Sequence, residues 1–294
     1  MAEKFDVHAY VTDAIIAAME AGTAPWRQPW TGEKTGAAFP LRASGEPYRG
    51  INVIMLWLTA VQKGYASPCW FTFKQAKELG AHVRKGEKST TVVYYGQVER
   101  ETDEGEEVRF SIAKAYRVFN AEQIENLPPE YYCEKATEAR DLGTEPDPNL
   151  EGYFANVGAR IETSDEPQAY YHPLHDHIHM PPIATFLSAN GYYATLAHEL
   201  THWTGHSSRL DRLKKGRDRA AYAFEELIAE IGACMVCAHL GLVPDFEQSA
   251  AYVESWLRAL KDDKRLIFTA ASEAQKAYDL ITQRAERNPS TLAA

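Results

Sequence analysis

The sequence predicts an α+β protein of two domains, an α+β module at the N-terminus followed by a mostly α-helical one. Three observations lead there. The chain has 294 residues, 45% hydrophobic and 24% charged, which suffices for one large or two medium cores and excludes disorder over most of its length. Apolar residues recur at helical spacing through much of residues 182–286, whereas parts of residues 91–116 read as strands. Between the two regimes, Thr144-Glu145-Pro146-Asp147-Pro148-Asn149 reads as a linker. The expected domains are residues 1–130 and 151–294, joined by an acidic, Pro-containing linker over 131–150.

Val11, Ala14, Ile15, Ala18 and Met19 share a helical face, and Gly22 with Pro25 supplies a stop, so residues 4–21 form the first helix. A Trp-, Pro- and Gly-containing loop runs to Gly50. Residues 51–63 are helical again and close at Gly64. Thr72 and Gln75 make a capping-box pattern for a short exposed helix that Gly80 ends. Residues 91–95 and 108–116 pair as an antiparallel hairpin across an acidic, Gly-containing turn. Asn120 then caps a brief helix ended by Pro128 and Pro129. In the second half, residues 152–163 and 170–180 are strand-like, and helices are expected at 182–189, 191–204, 219–240, 248–260 and 263–286. Asn190, Asp218 and Asp263 stand as N-caps, with Gly205 and Gly241 as stops.

Charge narrows the function classes. The net charge is −10, so the overall field does not favour duplex DNA. Residues 1–100 nevertheless carry 12 basic and 9 acidic side chains, whereas residues 101–150 carry 5 and 13. Four cysteines in a chain of this length do not make a disulfide framework and point to a reducing cytosol. The apolar run at 14–19 is too short, and too closely flanked by acids, to span a bilayer or act as a signal peptide. A cytoplasmic protein without a membrane partner is expected.

The chemistry lies in Ala197-His198-Glu199-Leu200-Thr201-His202-Trp203, a His-Glu-x-x-His motif within a helical pattern. Three fixed positions match by chance in about one chain in a hundred. On a helix, positions i and i+4 lie about 40° apart around the axis, so His198 and His202 face one divalent ion, most suitably zinc. Glu199 is the catalytic candidate, a general base for a water at that ion. The third ligand must come from elsewhere. His206 lies about 12 Å further along a continuous helix than His198 and cannot close on the same ion. The longer metzincin pattern also fails, because Ser208 stands where it needs a histidine. Glu226, on the acidic helix Tyr222 to Glu230, is the favoured third ligand. Glu230, four residues on and on the same face, is expected to orient a ligand histidine, and Glu225 to point elsewhere. A merely solvated acidic face is the competing reading. The set His198, His202 and Glu226 would make a zinc metallopeptidase site of gluzincin type.

Other clusters count for less. Strand periodicity would place His175, His177 and His179 on one face, with His172 nearby, lining a cleft or facing water rather than holding a second metal. Cys234-x-x-Cys237 lies in an apolar helix without a second pair and reads as core. Four of the six tryptophans, Trp26, Trp30, Trp57 and Trp70, fall in the net-positive first hundred residues. Aromatic platforms in a cationic groove hold single-stranded nucleic acid. The candidate DNA contacts are Trp26, Trp30, Arg49, Trp70, Lys74, Arg84, Lys85 and Lys88.

Tyr48-Arg49-Gly50-Ile51-Asn52, Trp70-Phe71-Thr72-Phe73-Lys74-Gln75-Ala76 and the segment Leu79 to Ser89 resemble the N-terminal domain of ArdC-type antirestriction proteins, which also begins TraC-type plasmid primases. Tyr192 to His206 and Tyr222 to Leu227 resemble that family's zincin-like metallopeptidase domain. The resemblance covers nearly the whole chain. It implies a plasmid-borne protein that binds single-stranded DNA and protects incoming conjugative DNA from host restriction. It also implies a metallopeptidase-like site on His198, His202 and Glu226, with Glu199 as base and a peptide or protein substrate. Two alternatives stay open: a general cytosolic zinc metalloprotease whose N-terminal domain recognises protein, and a DNA-binding shield with a purely structural metal.

Overall fold

The computed structural model describes residues 5–26, 39–101, 107–132, 142–213, 219–244 and 250–287. Asp6 accepts hydrogen bonds from the N–H groups of His8 and Ala9 and so starts α1, Val7–Glu20. After β1, Leu41–Arg42, comes α2, Ile51–Lys63, which buries seven residues from Ile51 to Leu58 and ends at Gly64 in the left-handed conformation. Next are β2, Cys69–Phe71, and α3, Phe73–Glu78, the latter begun by the Thr72/Gln75 capping box. β3, His82–Val83, precedes a long ribbon of β4, Thr90–Glu101, and β5, Glu107–Asn120. The brief helix expected after Asn120 is a single 3-10 turn, Ala121–Gln123, again with a capping box, leading into β6, Ile124–Glu125. These strands form a four-stranded sheet in the order β1-β2-β5-β4 and a small β3-β6 pair. Both side-chain groups of Asn52 hydrogen-bond the backbone of Val93, which ties α2 to β4.

The C-terminal part departs from expectation at its entry. Residues 148–156 are helical (α4, Pro148–Asn156) rather than strand, because Asp147 caps the N–H groups of Asn149 and Leu150 and Pro148 occupies the first turn. Only the end of the expected strand survives, as β7, Arg160–Thr163. β8, Tyr170–His172, and β9, His177–Met180, complete a sheet in the order β7-β9-β8. Where a helix is expected at 182–189 there is one 3-10 turn, Ile183–Thr185. Ser188, not Asn190, caps α5, Ala189–Thr204. Asn190 instead clasps the backbone of Val243 through two hydrogen bonds. Three further helices follow: α6, Arg219–Leu240; α7, Ala250–Asp262; and α8, Leu266–Arg287. The expected cap Asp218 and the linker residues 133–141 lie outside the described residues.

The hydrophobic core does not stop at the expected boundary. One cluster joins Val11 and Ile15 of α1 and Ile54 and Trp57 of α2 to Leu227, Ile231 and Cys234 of α6, Trp256 of α7 and Ile267 of α8. A second unites α4, β9, α5, the opposite side of α6 and the end of α8. α6 is therefore a shared wall between them. Among the described residues, no helix is long and apolar enough to cross a membrane.

Candidate metal centre

α5 and α6 approach each other where Gly232 faces Thr201: a Cβ at Gly232 would lie 2.6 Å from Thr201 Cγ2. This close crossing brings Glu226 to the two histidines of α5. His198 Nε2 and His202 Nε2 lie 3.2 Å apart. Glu226 Oε2 is 3.5 Å from His198 Nε2, and Glu226 Oε1 is 3.4 Å from His202 Nε2. A tetrahedral ion with bonds of 2.0–2.1 Å has ligand-to-ligand edges of about 3.3–3.4 Å. The two ring nitrogens thus have the spacing of one tetrahedral edge, and Glu226 turns one carboxylate oxygen toward each of them at a similar distance. Among the described residues, this is the one group of three or more His, Cys, Asp or Glu with donor atoms mutually within 4.8 Å. Glu199, next to His198 on α5, is buried.

The carboxylate on the far nitrogen of His202 is Glu225, whose Oε1 lies 3.4 Å from Nδ1. Glu225 is in turn gripped by Arg212: Nη2 donates to Oε1 at 2.8 Å and Nε to Oε2 at 3.2 Å. The same guanidinium donates to the carbonyl of Thr201 and the hydroxyl of Thr204, tying this chain of contacts back to α5. An anion at Nδ1 favours a proton there and leaves Nε2 as the donor toward the site. The expectation for Glu225 is therefore corrected, since adjacent positions on α6 address opposite nitrogens of one ring. Glu230, expected in that orienting role, accepts a 2.9 Å hydrogen bond from the indole N–H of Trp26.

The charges are strongly coupled. Burial works to lower the His202 pKa, but the bonds to Glu225 and Glu226 outweigh it and push the value up to about 10 in the metal-free protein. Burial works to raise Glu226, and the bonds from His198 and His202 reverse this, holding its carboxyl far below the usual range. Glu225 is likewise held low by His202 and Arg212 against the effect of burial.

Tyr222 lies one turn before Glu226, and its phenol is pushed up by burial and by Glu226. Arg209 stacks over Trp203 at 3.9 Å and pairs with Asp176, so Arg209 and Arg212 are both engaged within the fold. Of the histidine cluster, His175 lies in the turn between β8 and β9 and stacks on His172, which faces His177 across the strands. His179 is buried between Ser164 and the carbonyl of Gln168.

The DNA candidates separate by exposure. Trp26 and Trp70 are buried in the core, Trp26 edge-on to Trp256, and cannot stack on a base. That assignment is corrected: both rings are structural, and composition alone carries no information on exposure. Trp30 lies outside the described residues. Lys74, Arg84, Lys85 and Lys88 are exposed, Lys74 beside Glu78 and Arg84 beside Glu87. Arg49 is paired with Asp279 of α8.

Residues 5–119 match the model of the N-terminal domain of anti-restriction factor ArdC, and residues 148–273 match a zincin-like metallopeptidase model. The crystal structure of the antirestriction ArdC protein from plasmid R388, in its metal-free form, is 63% identical, with a TM-score of 0.88 over 96% of this chain and 99% of that one. This chain belongs to the ArdC family. A second ArdC structure from R388, Mn(II)-bound, is 61% identical, with a TM-score of 0.85 over 98% of this chain and all of that one. An uncharacterised protein of Sinorhizobium fredii, y4eC, is 40% identical over 93% of this chain and 91% of its own length. A DNA primase TraC of Escherichia coli is 40% identical over 96% of this chain, which spans only 27% of that primase. In ArdC terms, α1 to β5 form the N-terminal domain, and α4 through the first turns of α8 the zincin-like domain carrying the donor triangle.

Proposed function

We propose that the protein is a plasmid-encoded cytoplasmic antirestriction factor that binds single-stranded DNA, protects incoming conjugative DNA from host restriction and carries a zinc metallopeptidase centre. The observation that carries this reading is the donor triangle of His198, His202 and Glu226 in a chain alike from end to end to an antirestriction ArdC. Two imidazoles and a carboxylate suit zinc among the divalent ions. A bound ion would supply Lewis acidity and an activated water. Around it, Glu225 and Arg212 hold the His202 ring, and Glu199 takes a proton during hydrolysis of a peptide or protein. The exposed cations Lys74, Arg84, Lys85 and Lys88, with Arg49, supply phosphate contacts.

The test combines metal analysis of the full chain with a restriction-protection assay on transferred DNA. His198→Ala and His202→Ala should lose stoichiometric metal. Glu199→Gln should keep the metal yet lose hydrolysis and protection. Protection that survives Glu199→Gln would make the metal structural, and a wild-type chain that binds no single-stranded DNA would refute the DNA half of the proposal.

A further inference from the structure

A cleft of about 770 Å³ opens where the N-terminal sheet meets α8, well away from the donor triangle in sequence. Its walls come from both family domains: the start of α1, the junction into α2, the β4–β5 ribbon and the first half of α8. Six side chains give it its character, namely His8, Arg49, Tyr95, Arg265, Phe268 and Lys276. Tyr95 is half exposed on the ribbon. Its ring stands edge-on to Phe268 at 6.4 Å, and Phe268 in turn meets the edge of the His8 ring at 4.7 Å. Three cations line the cleft against one acid, Glu273, in a protein whose net charge is −10. Arg265 is exposed and enters no ion pair among the described residues. Arg49 is held by Asp279, and Lys276 by Glu273. Gly50 stands at the N-cap of α2 and donates its N–H to Gln275 Oε1 of α8 at 2.9 Å, so the positive end of the α2 dipole faces the same wall.

An aromatic face beside several cations, in a cavity sized for an organic ligand rather than an ion, is the chemistry of a nucleotide: a flat base to stack and a phosphate to neutralise. We infer that this interdomain cleft is where single-stranded DNA is gripped, a base packing on Tyr95, which the buried Phe268 backs from the core, and its phosphates contacting Arg265, Lys276 and Arg49. The inference rests on the proposed single-stranded-DNA binding and locates it. It moves the centre of binding from the basic segment 74–88 to a site that neither family domain completes alone. Part of the cleft is built by α8, so the zincin-like half supplies phosphate contacts.

A free mononucleotide shares this chemistry, and the test separates it from a strand. Full-length protein is titrated with a fluorescein-labelled oligothymidylate across a salt series, and thermal melting confirms folding. Tyr95→Ala should weaken binding by about 5- to 150-fold with an unchanged salt slope, as for loss of one stacked base. Arg265→Ala combined with Lys276→Ala should weaken it and reduce the slope of log affinity against log salt by about 1.4, as for two phosphates on a single strand. Thymidine monophosphate should compete weakly. In wild-type protein, photocrosslinking of a 5-iodouracil strand should mark Tyr95 or His8.

Several results would overturn the inference while leaving single-stranded-DNA binding intact. These are wild-type affinity in both variants, crosslinks confined to residues 74–88, or an equal effect from Tyr94→Ala with Tyr116→Ala on the ribbon's other face. Mononucleotide binding as tight as the strand would overturn it in favour of a small-molecule site. Absence of any strand binding by the wild-type chain would overturn both the inference and the reading beneath it.

Discussion

The tightest point of the metal centre carries no ligand, and it makes the sharpest test. In Gly232→Ala the new Cβ would meet Thr201 Cγ2 at 2.6 Å, Oγ1 at 2.9 Å and Cβ at 3.3 Å. Carbon atoms pack at about 3.5–4.0 Å, so α5 and α6 must part by about 1 Å. Global stability will register little of this. Overpacking costs about 1–3 kcal/mol, while replacing a helical glycine by alanine returns about 1 kcal/mol. The donor set is less tolerant, because the two imidazoles lie 3.2 Å apart with a Glu226 oxygen 3.4–3.5 Å from each and ligand distances are held to about 0.2 Å. An interhelical shift several times that tolerance should separate Glu226 from the histidines and weaken zinc by at least the roughly 10- to 100-fold seen when outer contacts of metal sites are cut. Zinc affinity is read by competition with a chromophoric chelator, alongside thermal denaturation. Adding Thr201→Ala removes both near atoms and leaves the 3.3 Å contact, so the double variant should recover most of the affinity. Wild-type zinc affinity in Gly232→Ala, or a double variant no better than the single, would refute the argument.

Three other outcomes follow from the same geometry. Glu225→Gln and Arg212→Ala should each lower zinc affinity by about 10- to 100-fold without removing a ligand, measured by the same competition. Trp26→Ala should cost about 3–5 kcal/mol in denaturant unfolding, as for any large core ring, whereas Trp26→Phe should isolate the smaller loss of the Glu230 hydrogen bond. The raised His202 pKa gives a signed pH dependence. Its stabilisation of the metal-free protein is fully present below the unfolded value near 6.5 and is lost as pH rises toward about 10. Melting of the metal-free form should therefore fall over that window, while zinc affinity rises across it because the ion displaces that proton; a flat profile for both would contradict the Glu225–His202–Glu226 coupling.

What the sequence disclosed follows the range of the interactions involved. α2 and α6 end where the pattern places them, since a long apolar periodicity and a stop such as Gly64 are local signals. His198 and His202 are one helical turn apart, so their convergence is also local. The role of Glu225 is not legible from spacing, because its partner Arg212 lies in a separate segment that returns to α5 through Thr201 and Thr204. α4 starts at a local helix signal, Asp147-Pro148, which the Pro-containing composition of residues 144–149 hides within a linker pattern. Trp26 and Trp70 show the limit of composition, because aromatic residues among basic ones fit a stacking surface and a core equally well. For Trp26 the difference is made by Glu230 of α6, 204 residues away in sequence, and Trp256 of α7.

The arrangement around α6 packs the two domains against one helix. One side of this helix brings Glu226 to the histidines and Gly232 against Thr201, and adds Ala233, Val236 and Cys237 to the C-terminal core. Its other side gives Leu227, Ile228, Ile231, Cys234 and Met235 to the core shared with α1 and α2. Trp26, from the loop after α1, reaches the same helix at Glu230, one turn from Glu226. A C-terminal fragment beginning near residue 150 would strip that second side bare. An exposed apolar wall of this kind drives aggregation or repacking, and repacking α6 moves Glu226. Loss of metal from such a fragment would thus report on the missing N-terminal core as much as on the donor set, whereas point variants in the full chain leave both cores in place and test the ligands alone.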